Sequence, residues 1–412
     1  MSKKIYILMT ALLVCLGAYA DNGSNSPYTR YGVGLLSSGG TGINRQMGGL
    51  GYGLRSHEFV NFLNPASFAE ADTLTMLFDA GFSLQNVNFK EGNKRINAQN
   101  ASFDYIAIQF RICKNLGMSA GFLPYSAVGY SFSTTSASGT SHASTNRYAG
   151  AGGLYQPYIG LGWKPFKWMS LGVTGSYLYG DITHEVGIDF TSSTDRSKVY
   201  NASIKNYKLD AGVQFAATIA KKHDIVLGAT YSLGHDLNAK ATMTETTASS
   251  TTTSNIDEGF RIPDTYGAGF TYTYDSRWMF GADYTLEQWN GATFFGNDKG
   301  IDRSRVSVGA SYTPGTVSKN PFKMMSYRAG VHYAQPYTEF KGEKGCEEYG
   351  VSAGISLPFF NNNNRSSHAT LHISGQYIHM KPQSAGMIAE NYLRINIGIT
   401  FNESWFMKLK VR

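Results

Sequence analysis

The sequence predicts an all-β protein, a fourteen-stranded antiparallel transmembrane β-barrel whose lumen is plugged by an N-terminal segment. Three observations predict it. Apolar and polar residues alternate over runs of ten or more, the joins between runs are alternately short and long, and about fifty partly apolar residues precede the first run.

Composition narrows the class first. Charged residues make up 16% of the chain, against about a quarter in ordinary soluble domains, while Gly (46), Tyr (27) and Phe (24) are abundant. Mean hydropathy is slightly negative, and beyond the first residues no apolar run reaches the length of a membrane helix. That combination fits a barrel that crosses lipid with strands. The formal charge of +7 falls to about +5 once Lys3 and Lys4 are removed, and the basic residues are scattered. No nucleic-acid footprint is present in such a pattern.

Residues 1–20 read as a signal peptide. Lys3 and Lys4 form its basic start, Ile5 to Leu16 its apolar stretch, and Ala18-Tyr19-Ala20 its small-x-small cleavage site. Export leaves two cysteines, Cys113 and Cys346, far apart and in no metal-ligand spacing.

Residues 21–72 form the leading segment. Tyr28, Met47, Leu50, Phe59, Phe62 and Leu63 give it more apolar surface than a solvated tail carries. Asn64-Pro65 suits a sharp bend, because proline fixes its own φ and pushes its predecessor out of the helical region. A fourteen-stranded barrel has room inside for a segment of this size.

Residues 73–412 form the barrel. In the last run, Leu393, Ile395, Ile397, Ile399 and Phe401 alternate with Arg394, Asn396, Gly398, Thr400 and Asn402. Near the front, Phe78, Ala80, Phe82 and Leu84 alternate with Asp79, Gly81 and Ser83. Period two over ten or more residues exceeds the five or six of a soluble sandwich strand and matches a tilted membrane strand. Fourteen such runs extend from 73–86 to 390–404. The even-numbered joins are short, as at Lys114-Asn115, Lys221-Lys222-His223 and Asp275-Ser276-Arg277, with Pro314 to Lys323 the exception. The odd-numbered joins are longer and polar, as from 133 and from 241 onward. Short periplasmic turns and long outer loops give this rhythm, and the even count places both ends in the periplasm. Trp163, Trp168, Trp278 and Trp405-Phe406 lie at strand ends, where an interfacial belt needs them.

The stretch "GGLG" followed by "NFLNPASFA" resembles the N-terminal hatch of the FadL/OMPP1/TodX family of outer-membrane transporters, in the versions of Bacteroidetes-type bacteria. Asn64, Pro65 and Ala66 match that family's Asn-Pro-Ala, and "FLPYSAVGY", "IPDTYGAGFTY", "GADYTLEQW", "SYRAGVHY" and "FNESWFMKLK" extend the resemblance over the mature chain. The resemblance implies a cell outer-membrane channel for passive uptake of hydrophobic small molecules such as long-chain fatty acids. Its gate would be the hatch, with Phe62, Leu63, Asn64, Pro65 and Ala66, and its substrate would leave sideways into outer-membrane lipid. Gly121 and Pro124 in the third strand would suit that lateral opening, since proline removes a ladder donor and glycine weakens a strand. The family also contains relatives that act in protein secretion. The alternative is therefore a structural or secretion-associated barrel with an envelope protein as partner.

Catalytic chemistry is not evident. None of the nine His stands in a metal-type cluster such as HExxH, and there is no Gly-x-Ser-x-Gly elbow. The reading is of no enzyme, no cofactor and no metal. His372 is expected to line the lumen, and Asp79 and Arg394 to pair across the closing seam between the first and last strands.

Overall fold

A computed structural model describes residues 24–37, 39–136, 144–190, 196–256, 260–294, 298–315, 321–340, 342–361, 364–384 and 387–404. The stretch expected to be a signal peptide, residues 1–20, and Trp405-Phe406 lie outside the described residues.

Among the described residues, seventeen strands hydrogen bond in one sheet, and fourteen of them form a closed antiparallel wall. In chain order these are β1 (Thr75–Glu91), β2 (Lys94–Cys113), β3 (Leu116–Ser136), β4 (Ser144–Phe166), β5 (Met169–Phe190), β6 (Arg196–Ile219) and β7 (His223–Ser232). They continue as β8 (Asp264–Tyr274), β9 (Trp278–Gln288), β10 (Arg303–Tyr312), β11 (Ser326–Ala334), β12 (Glu347–Asn361), β13 (Asn364–Lys381) and β14 (Ala389–Ser404). β1 pairs with β14 from Thr75↔Ser404 to Lys90↔Ala389, which closes the cylinder.

The alternation sorts residues as a lipid-facing wall requires. Phe82, Leu84, Leu393 and Ile395 are exposed on the outside, whereas Ser83, Gln85, Asn396 and Thr400 are buried within. Aromatic side chains ring both edges of the outer apolar band. At the periplasmic edge, Tyr274, Trp278, Tyr312 and Tyr327 stand opposite one another across four strands. At the outer edge stand Tyr155, Tyr177, Tyr266 and Tyr284, all exposed. On β8 the two edges, Tyr266 and Tyr274, are about 27 Å apart along the strand, roughly 20 Å along the axis at the usual tilt. The molecule is thus an outer-membrane-type barrel; among the described residues no helix is long and apolar enough to cross a membrane.

Above the band, β3 to β6 run on for several turns of pleat. The stretch from 241, read from sequence as a loop, is instead a hairpin: Ala239–Thr246 pairs with β6 and with Thr251–Ile256. Its threonine-rich composition suits a pleated, half-exposed sheet as well as a loop. Two small sheets cap the mouth over a buried apolar cluster that includes Val33, Leu154, Ile182, Phe260, Trp289 and Phe294. The longer periplasmic join carries a short helix, α2 (Pro321–Met324).

Residues 24–37 and 39–72 pack against inward-facing residues of the wall. Ser26 and Thr29 sit near the outer rim, the helix α1 (Gly42–Gln46) at mid-height, and a 3-10 turn (Pro65–Glu70) near the periplasmic rim. The chain leaves α1 through Gly48 and Gly49, both at positive φ, where a side chain would be strained.

Candidate functional site

The seat of the N-terminal segment is built from wall glycines. Gly117, Gly162, Gly172 and Gly212 stand directly opposite one another across β3, β4, β5 and β6. Together they leave a groove without side chains, and the stretch Asn64 to Ala69 lies in it. A Cβ on Gly117 would stand 1.8 Å from the Phe68 carbonyl oxygen, on Gly162 2.5 Å from the Ala69 nitrogen, on Gly172 2.2 Å from the Pro65 carbonyl carbon, and on Gly212 2.1 Å from Asn64 Oδ1. A second row, Gly281, Gly309 and Gly330, crosses β9, β10 and β11 and receives Met47 and Leu50 at 2.2–2.7 Å by the same measure. Glycine is needed here for close approach of backbone to backbone.

Asn64 does two jobs. Its Oδ1 accepts the Ala66 backbone N–H at 3.1 Å, capping the 3-10 turn, and its Nδ2 donates to the carbonyls of Tyr52 (2.9 Å) and Val213 (3.2 Å). Pro65 opens the turn where its missing N–H costs nothing. Ala66 is fully buried, Phe62 packs against Tyr105 and Tyr158, and Leu63 lines the cavity above.

Polar contacts complete the seat. Asp283 Oδ2 accepts the N–H groups of Gly51 (2.6 Å) and Tyr52 (2.9 Å), and Gln214 donates to the carbonyls of Tyr52 and Leu54, each at 2.9 Å. Gly42 N donates to Tyr105 Oη at 2.9 Å, and Gln376 to the Arg45 carbonyl at 2.9 Å. Arg45 meets Asp104 of β2 at 2.9 Å, with both side chains buried.

Near the periplasmic rim, Glu70 bridges Arg55 and Lys164. Burial alone would raise its pKa, but hydrogen bonds from Arg55 and Lys164 hold it below the ordinary carboxylate value. A depressed pKa means that the stabilisation is present above the ordinary range and disappears as pH falls through the lowered value. Acid should therefore loosen residues 39–72 as pH falls below the ordinary carboxylate range, read as protease cleavage, and Glu70→Gln should flatten that pH dependence.

The seam between β2 and β3 differs from the others. The two strands pair from Cys113↔Leu116 up to Ile106↔Phe122 and no farther. Gly121 lies in the paired part, where a Cβ would stand 2.4 Å from the Ile106 carbonyl oxygen. Pro124 lies just above, beside a register shift between Pro124 and Ser126, and opposite Tyr155 of the outer girdle. Gly121 and Pro124 thus flank the place where the wall parts. A short strand of the N-terminal segment, Leu35–Leu36, takes up the freed edge, opposite Ala127 and Ser126.

The space left in the lumen is lined by charged side chains among apolar ones. A cavity of about 250 Å³ above Phe62, Leu63 and Pro65 is lined by Arg45, Asp104, Lys208, Asp210, Glu287 and Arg303 among others. A second of about 190 Å³ reaches the β2–β3 seam past Arg45, Arg305, Glu348 and Arg394. Arg303 bonds Glu287 at 3.1 Å and Glu348 stands 2.8 Å from His332 Nε2. Arg394 is read from the sequence on the polar face of its strand, whereas Glu287, Arg303 and Glu348 are not singled out there, because only the register pairs Arg303 with Glu287.

Two expectations change or sharpen. Asp79 and Arg394 do not pair: Asp79 stands opposite Thr400 and accepts from Tyr105, whereas Arg394 stands opposite Gln85 and donates to it at 3.0 Å. They stand six positions apart along one seam. His372 does face inward, buried between Ser356 (2.7 Å) and Thr400 (2.9 Å). Cys113 is exposed and Cys346 buried, the latter with its thiol pushed up to about 12 by burial beside Tyr28. No cluster of three metal-ligating side chains occurs among the described residues.

A sequence profile of the family described as BamG matches residues 1–412. The chain belongs to the BamG family. Among solved structures, this BamG-family barrel is similar to the Pseudomonas putida toluene transporter TodX, at 16% identity and a TM-score of 0.60 over 90% of this chain and 100% of that one. It is also similar to the monoaromatic hydrocarbon channel CymD (13%, 0.57, 89% and 98%) and to a Pseudomonas aeruginosa FadL homologue (10%, 0.56, 91% and 100%). At these identities the likeness establishes that the BamG-family chain has the FadL-like barrel fold. None of the curated proteins matches the sequence.

Proposed function

We propose that the protein is a plugged outer-membrane barrel that works through its wall and an envelope protein partner, in a structural or secretion-associated role. The observation that carries this reading is the state of the lumen. The N-terminal segment lies in two glycine rows and is hydrogen bonded to the wall, the mouth is packed with apolar side chains, and the two cavities left in the lumen carry charged side chains among their apolar lining. A long acyl chain gains about 0.8 kcal/mol per methylene in apolar surroundings, and charged side chains such as Arg45, Asp104 and Arg303 in these linings reduce that gain.

A second reading is favoured by the seam. A wall that parts at Pro124, beside a cavity, is compatible with passive passage of hydrophobic compounds, with residues 62–66 as gate and release sideways past Gly121 and Pro124. The names of the similar structures, a toluene transporter and a monoaromatic hydrocarbon channel, lend it support. Native mass spectrometry of the detergent-extracted protein separates the two. The partner reading expects a stoichiometric protein and no retained fatty acid or aromatic compound; a retained hydrophobic ligand on an otherwise solitary barrel supports the channel reading instead.

A further inference from the structure

We infer that the edge of β3 above Phe122 is a strand-addition site. It takes an extended segment of a second polypeptide in antiparallel register, and the chain's own residues 26–37 hold the place when no partner is bound. This deepens the partner reading and rests on it.

The backbone accounting points there. From Leu123 to Ser136, β3 pairs with β4 along one edge, while its other edge has lost β2. Backbone N–H and C=O groups require partners, and a strand edge without them is a template for another chain. The N-terminal segment supplies a partial substitute. Leu35 and Leu36 pair with Ala127 and Ser126, Ser37 N donates to the Tyr125 carbonyl at 2.9 Å, and Thr29 Oγ1 serves both the N–H and the C=O of Gly129 at 3.2 Å. The edge therefore already accepts extended chain in antiparallel register. The substitute is short: among the described residues, Tyr130 to Ser136 have strand partners only on the β4 side.

The chemistry of the occupant follows. A lipid tail cannot meet a row of alternating donors and acceptors, and a backbone strand can. The segment's apolar side chains show what the site tolerates: Val33 is buried in the cluster with Val128, and Leu36 packs against it. The seam opens at the outer girdle, opposite Tyr155, so a strand can reach it from the membrane plane or from outside.

Ser37 donates to Tyr125, which places the neighbouring pair Leu36 and Ser126 at a non-hydrogen-bonded position, where Cα atoms stand about 4.5 Å apart. A disulfide fits that spacing. In a Cys113→Ser background, Leu36→Cys with Ser126→Cys should lock the segment onto β3 under oxidation. The partner seen by native mass spectrometry should be lost from the locked barrel and return on reduction. Equal retention by the locked barrel overturns the site and leaves the partner reading standing. If the wild-type protein carries no partner, that reading falls, and a second measurement decides the site alone. Ser37→Pro removes the donor to Tyr125 and should let a labelled synthetic peptide of sequence YGVGLLSSGG bind in trans, about tenfold tighter than to the locked barrel. Heat-modifiable gel mobility reports that both variants are folded. No difference in peptide binding between the two folded variants overturns the inference.

Discussion

Replacing Gly172 by valine is expected to expel the N-terminal segment from its seat while leaving the barrel wall assembled. Gly172 is at the centre of the first glycine row, with Gly162 on one side and Gly212 on the other. Its missing Cβ would fall 2.2 Å from the Pro65 carbonyl carbon, 2.3 Å from the Pro65 oxygen and 2.4 Å from the Ala66 nitrogen. Those are backbone atoms of a turn capped by Asn64 and buried among Ala66, Phe68 and Ala69, so they cannot rotate aside. Overpacking a side chain costs about 1–3 kcal/mol, and a clash with three backbone atoms exceeds that range. The wall has no such conflict, because valine is favoured in strands. Amide exchange over residues 42–70 should rise by orders of magnitude, whereas β1 and β14 stay protected. A Gly375→Val control, at a wall glycine with nothing within 4 Å of its added Cβ, should leave both regions unchanged.

Replacing Asp104 by alanine is expected to destabilise the folded barrel by about 3–5 kcal/mol. Asp104 holds Arg45 of α1 at 2.9 Å, and the two side chains retain only 7% and 4% of their exposure. Arg45 keeps two weaker partners, the Gly40 carbonyl and Asn396 Oδ1, both at 3.3 Å, and neither is charged. Removing the carboxylate therefore strands a guanidinium in a buried place. Ser83 loses its 3.0 Å acceptor as well. Thermal unfolding followed by gel mobility measures the loss. The double change Arg45→Met with Asp104→Leu should recover most of it, because the penalty comes from an unpaired charge rather than from a missing pair.

The barrel was legible because period two reports directly on which side of a wall each residue stands. Leu393 and Ile395 outside, Asn396 and Thr400 inside, need no knowledge of neighbouring strands. The rhythm of joins gave the strand order for the same local reason. What was not legible depends on register. Gly117, Gly162, Gly172 and Gly212 are scattered through the sequence and become one groove only when four strands are set side by side. Asp79 and Arg394 do lie on neighbouring strands, yet antiparallel pairing sets them six positions apart. The Asn-Pro-Ala stretch announced a bend, and Pro124 a weak point in β3. That the weak point is filled by Leu35–Leu36 could not be read from either segment alone.

The central claim is that residues 24–72 are a fixed part of the barrel interior. Hydrogen–deuterium exchange of the detergent-extracted wild-type protein tests it most directly. Protection of residues 42–70 comparable with that of β1 and β14 is the predicted result. Exchange of those amides as fast as an unstructured peptide, beneath a wall that remains protected, would contradict it.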